Sequence, residues 1–69
     1  MALKNTIKVQ RAIHNLTQAE LAEKIGVSRQ TINAIEANKY VPSTLLALKM
    51  AKLFDTQVED FFQLEDDNE

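Results

Sequence analysis

The stretch Thr17-Gln18-Ala19-Glu20-Leu21-Ala22-Glu23-Lys24-Ile25-Gly26-Val27-Ser28-Arg29-Gln30-Thr31-Ile32-Asn33-Ala34-Ile35-Glu36 decides the fold. Its apolar residues fall at helical spacings on both sides of Gly26: Leu21, Ala22 and Ile25 before it, Ile32 and Ile35 after it. Thr17 and Glu20 stand in capping-box relation, in which each side chain answers an unpaired backbone N–H at the start of a helix. Gly26 is the only glycine in the chain. Glycine enters without strain the positive-φ conformation that stops a helix and opens a tight turn. Ser28 then supplies the N-cap of a second helix. Ala22 sits where a larger side chain would push the two helices apart. Leu21, Ile25, Val27, Ile32 and Ile35 fix the second helix against the first, so that its far side protrudes.

Outward from this pair, the spacing predicts a helix over about 6–14, closed by Asn15, a residue that tolerates the left-handed conformation. Asn38 is read the same way at the end of the helix that Ser28 opens. Lys39-Tyr40-Val41-Pro42 is a connecting loop, and Ser43 caps a fourth helix whose inner side is read as Leu45, Leu48 and Ala51, joined by Leu46 and Phe54. Thr56-Gln57-Val58-Glu59 repeats the capping-box pattern and opens a short fifth helix through Phe62. Residues 65–69 form an acidic tail expected to fray. The 69 residues make one all-helical domain over 1–64, without repeat or linker. Such a small core gains from pairing. Cysteine is absent, so disulfides and thiolate metal sites are excluded, which suits a reducing cytoplasm. No apolar run reaches the length of a membrane span or signal-peptide core.

The net charge of −2 is unevenly placed. Residues 1–54 hold all eight basic side chains and carry +5, whereas residues 55–69 hold no base and carry −7. Screening over about 8 Å makes local charge more decisive than the total, so a basic body remains able to meet phosphates.

The protruding helix has the chemistry for that encounter. At about 100° per residue, Ile32 and Ile35 lie some 60° apart on the buried side, while Gln30, Asn33, Ala34 and Ala37 gather within about 100° opposite. Gln30 donates and accepts together, as an adenine edge requires. Arg29 suits a guanine edge or a phosphate, and Ala34 a thymine methyl. These are the mechanics of a helix-turn-helix over about 17–36, whose second helix enters a major groove.

Leu16 through Ile32, with Ile35-Glu36, Pro42-Ser43, Ala47-Leu48-Lys49 and Val58-Glu59-Asp60-Phe61-Phe62, closely resembles the Cro/C1-type, or Xre, helix-turn-helix family, in particular its short single-domain members. The resemblance covers nearly the whole chain. It implies a five-helix, lambda-repressor-like DNA-binding domain and a cytoplasmic regulator of bacterial or phage origin. It implies base contact at Arg29, Gln30 and Ala34, and often at Asn33, where an ordinary solvated side chain is an equal alternative. It implies phosphate contact at Gln18, with Ser28, Thr31, Lys39 and the backbone of Asn38, Lys39 and Tyr40 as further candidates. For Ser28, capping alone is the simpler account. Arg11 and Glu36 match positions that form a buried structural ion pair in phage repressors. Short members also suggest a two-stranded ribbon pairing residues 2–4 with 63–65.

The sequence departs from the family at Gln10, where an apolar residue is usual, and at Asp55, where glycine is common. Asp adopts the left-handed conformation at some cost. His14 lacks companion metal ligands and reads as a helix-end residue favoured by the dipole.

The reading is of a sequence-specific regulator of a palindromic double-stranded operator, with repression the expected effect. It would act as a homodimer on half-sites about one turn apart. Val58, Phe61, Phe62 and Leu64 exceed what a short terminal helix needs and are candidates for the dimer interface; the alternative is that they close the monomer core. A second class is a protein-interaction module of the same fold, an antitoxin or anti-repressor partner. A catalytic role is disfavoured by the lone histidine and the lack of a phosphate-cradling loop or paired carboxylates, and no cofactor, metal or small-molecule ligand is expected.

Overall fold

The computed structural model describes residues 2–65. Three helices begin on side-chain caps. Thr17 accepts from the Glu20 N–H at 3.0 Å while the Glu20 carboxylate accepts from the Thr17 N–H at 2.9 Å, and this box opens α2 (Gln18–Ile25). Ser28 accepts from Thr31 N–H and opens α3 (Arg29–Glu36). Ser43 accepts from Leu46 N–H and opens α4 (Thr44–Phe54). The remaining helix, α1 (Ile7–Ile13), takes its cap from one residue further back: the Ile7 N–H donates to Asn5 Oδ1.

All four helices end alike. A left-handed residue follows each of them: Asn15 (φ 61°), Gly26 (φ 79°), Asn38 (φ 61°) and Asp55 (φ 55°). The next N–H then reaches back to the carbonyl five residues earlier: Leu16 to Arg11, Val27 to Ala22, Lys39 to Ala34 and Thr56 to Ala51. These are Schellman closures, which satisfy carbonyls left over at a helix end. At Gly26 an added Cβ would meet nothing within 4 Å, so backbone conformation alone favours glycine there.

Before α1 runs strand β1 (Ala2–Asn5), and at the other end strand β2 (Phe62–Glu65). They pair antiparallel, Ala2 opposite Glu65 and Asn5 opposite Phe62. The architecture is therefore mostly helical with a two-stranded ribbon, in which residues 2–4 pair with 63–65 as the resemblance suggested. Glu65 lies within β2; the rest of the acidic tail, residues 66–69, lies outside the described residues.

Among the described residues the α-helix count is four rather than five. Between Asp55 and β2 the chain makes only a 3₁₀ turn, Val58–Asp60. The capping acid is Asp60 and not Glu59: its carboxylate accepts from the Gln57 N–H and from the Thr56 hydroxyl. Phe61 and Phe62 are both buried. Phe61 closes the 3₁₀ turn and its carbonyl accepts from the Thr6 N–H at 2.9 Å, and β2 starts at Phe62.

The core joins Ile7, Leu21, Ile25, Ile32, Ile35, Met50, Phe54 and Phe61, with Phe54 meeting Phe61 edge-to-face at 5.3 Å and His14 stacking on the outer side of Phe54. The inner face of α4 differs from the expected one. Leu46, Met50, Ala51 and Phe54 are buried, while Leu45 and Leu48 are 65% and 56% exposed. This helix is apolar on nearly every side, so periodicity does not choose its phase; packing against α2 and the aromatic pair does.

Candidate nucleic-acid interface

The α2–α3 turn buries Ile32 and Ile35 and leaves Arg29, Gln30 and Asn33 exposed on one side of α3, with Ala34 half-buried between them. A donor-acceptor amide, a guanidinium and a second amide thus share the protruding N-terminal end of the helix. Ser28 and Thr31 are engaged with each other: besides the cap, their hydroxyls lie 2.9 Å apart.

The other end of α3 is fixed by charge. Arg11 Nε lies 2.7 Å from Glu36 Oε2, and Arg11 Nη2 lies 3.2 Å from Oε1, a bidentate pair. Arg11 Nη1 also donates to the Leu16 carbonyl, and Gln18 Nε2 donates to Glu36 Oε1. The side chains are 14% and 11% exposed. Among the described residues no buried side-chain nitrogen or oxygen lacks a partner, so the charges are compensated in the way burial demands. One network ties α1, the start of α2 and the end of α3. Gln18 is half-buried within it and keeps one amide N–H beyond the bond to Glu36.

Asn38, Lys39 and Tyr40 follow α3 and are exposed. The N–H groups of Asn38 and Lys39 are engaged in the helix closure, with the Ile35 and Ala34 carbonyls. Only their side chains remain for a ligand. Sequence reasoning missed Asn5, whose amide nitrogen donates to both the Ile35 carbonyl and Asn38 Oδ1 at 3.0 Å. Its partners lie 30 and 33 residues away, beyond any local pattern.

The residues expected at a dimer interface divide. Phe61 is wholly buried and Phe62 is 9% exposed, so both close the monomer core. Leu64 is 69% exposed. Val58 lines a cleft of about 250 Å³ together with Leu3, Val41, Pro42, Ala47, Leu48 and Phe62. Val41 and Leu48 are more than half exposed; from sequence Val41 was read only as loop and Leu48 as an inner-face residue of α4. Among the described residues no helix is long and apolar enough to cross a membrane.

A sequence model of the helix-turn-helix family matches residues 7–61. The chain is 60% identical, over 94% of its length and 98% of the relative's, to an uncharacterized HTH-type transcriptional regulator of Methanocaldococcus jannaschii. It is 50% identical to the uncharacterized HTH-type transcriptional regulator YgzD of Bacillus subtilis, covering 96% of this chain and all of that one. A further uncharacterized HTH-type transcriptional regulator, from Archaeoglobus fulgidus, is 43% identical over 94% of this chain and 93% of its own. Relatives in archaea widen the bacterial or phage origin that the resemblance implied. With four capped helices, the turn at Gly26 and a match spanning α1 to Phe61, the chain belongs to the Xre-type helix-turn-helix family.

Proposed function

We propose that the protein is a sequence-specific double-stranded DNA-binding regulator of transcription that represses by occupying its operator as a homodimer. The observation that carries this reading is the exposed end of α3, where Arg29, Gln30 and Asn33 face outward while Ile32 and Ile35 anchor the helix from behind. Its amide and guanidinium groups suit base edges, and Ala34 suits a thymine methyl. The phosphates on either side fall to the remaining Gln18 amide N–H, the hydroxyls of Ser28 and Thr31, the Asn38 amide, the Lys39 ammonium and the Tyr40 hydroxyl. The Arg11–Glu36 pair is structural: it sets the axis of α3 and reads nothing.

Pairing is supported by the apolar cleft around Val41, Leu48 and Val58, with Leu64 exposed nearby on β2. A second copy offers the same apolar surface in return, as a two-fold interface requires. It also gives two reading heads for half-sites about 10 base pairs apart. Seating such a dimer on a promoter blocks other proteins from the same duplex, which is why repression is the expected effect.

Selection of bound duplexes from a random pool tests the reading. A palindrome with half-sites about one turn apart is the expected result. Failure to enrich any sequence, with binding abolished by moderate salt, would overturn it and favour the protein-interaction module, for which the same cleft would be the docking surface.

A further inference from the structure

We infer that Asn5 is a positioning residue for DNA binding, one that sets which end of the Asn38 amide faces a phosphate. This inference rests on the DNA-binding reading above. It follows from a chain of hydrogen bonds that leaves each amide one orientation. Asn5 Oδ1 accepts from the Ile7 backbone N–H at 3.2 Å, a group that can only donate. Its Nδ2 donates to the Ile35 carbonyl at 3.0 Å, a group that can only accept. Two backbone groups of opposite sense therefore fix the Asn5 amide. Its second N–H then points at Asn38, and Asn38 must answer with oxygen, which it does at 3.0 Å.

The consequence falls on Asn38. Its Oδ1 is engaged, so what it retains for a ligand is the amide NH₂, a donor. A phosphate oxygen accepts, and the match is correct. Released from Asn5, the Asn38 amide is free to rotate half a turn and present its oxygen, which repels a phosphate. Asn38 is held at φ 61° by the closure of α3 and is followed directly by Lys39 and Tyr40. Its amide thus belongs to the segment that leads from the reading helix to the backbone. Asn5 sits at the end of β1 and touches no groove-reading side chain among its hydrogen-bond partners.

Two neutral variants separate this role from a structural one. Asn5→Ser keeps a short side-chain acceptor for the Ile7 N–H but is too short to reach α3. It orphans nothing at Ile35, whose carbonyl still receives the Asn38 N–H at 3.0 Å. Asn38→Gly keeps the left-handed backbone and deletes the amide. Affinity for the selected duplex is measured by fluorescence anisotropy over a range of salt, with thermal melts confirming that each variant is folded. Each single variant is expected to bind about three- to tenfold more weakly at unchanged base preference, as loss of a phosphate contact implies. The slope of log affinity against log salt should stay unchanged, because a neutral amide neutralises no phosphate and releases no counterion.

The double variant should bind like Asn38→Gly alone, because Asn5 acts only through Asn38; independent destabilisation would instead multiply the two losses. Wild-type affinity in Asn5→Ser, multiplicative losses, or a loss matched by equally weakened self-association each overturn the inference while leaving the DNA-binding reading intact. A wild-type chain that selects no duplex overturns both.

Discussion

Glu36 receives three N–H donors, two from Arg11 and one from Gln18. Removing it leaves the Arg11 guanidinium nearly buried without its counter-charge. Glu36→Ala is therefore expected to cost about 2–3 kcal/mol, the range for charge-assisted hydrogen bonds, because residual exposure moderates the larger penalty of a fully buried charge. In a domain this small that lowers the melting midpoint by roughly 10 °C or more. Thermal melts check it, and an unchanged midpoint would show that the pair does not support the fold. Gln30→Ala is expected to leave the midpoint unchanged and to relax base preference at one position of each half-site, at about 1–3 kcal/mol of discrimination. Repeating the duplex selection with the variant measures this. At this scale the sequence was legible wherever chemistry is local. Thr17, Ser28 and Ser43 announce their caps because donor and acceptor lie three residues apart. Asn5 was illegible because only the folded chain brings it to α3.

Elements differ in how far their own sequence determines them. The α2–α3 pair was legible in full, since its apolar stripe is narrow and its turn has a single glycine. The phase of α4 was not, because Leu45, Leu46, Leu48, Met50 and Leu53 compete for one inner face. That phase has a direct test. Met50→Ala is expected to cost about 2–5 kcal/mol, as truncation of a buried core side chain does. Leu48→Glu should change monomer stability by less than about 0.5 kcal/mol, as exposed positions do, yet weaken self-association. Denaturant melts and sedimentation equilibrium distinguish the two. The 3₁₀ turn was misread by one residue, and its acid leaves a pH signature. The Thr56 hydroxyl and the Gln57 N–H hold the Asp60 carboxyl below its ordinary range. A lowered folded value gives stability that is present above the unfolded pKa and is lost as pH falls through the folded one. A carboxyl-carbon NMR titration should place the Asp60 midpoint below that of an unstructured aspartate, and Asp60→Asn should remove this contribution to acid unfolding.

For the whole molecule, net charge is a poor guide to what it meets. A value of −2 hides a segment of +5 that contains the four described α-helices. If that segment grips phosphates from two protomers, affinity for the selected duplex should fall by roughly a thousandfold or more between about 50 and 200 mM salt. Anisotropy titrations across that range decide it; a flat response would place the basic side chains away from the backbone. The domain outline was readable in the sequence because helix periods, caps and the single glycine agree. The ribbon came only through family resemblance, since four-residue strands from opposite ends of the chain carry no periodic signal of their own.

That ribbon also fixes an order of events in the life of each molecule. Synthesis proceeds from the first residue onward, so β1 is made early but has no strand to pair with until Phe62–Glu65 exists. The helices around Gly26 can close well before then from contacts already present. Asn5, at the end of β1, gains its partner across the ribbon only once β2 is made. A chain that has made its helices thus still lacks the ribbon that braces Asn5 until Phe62–Glu65 is added.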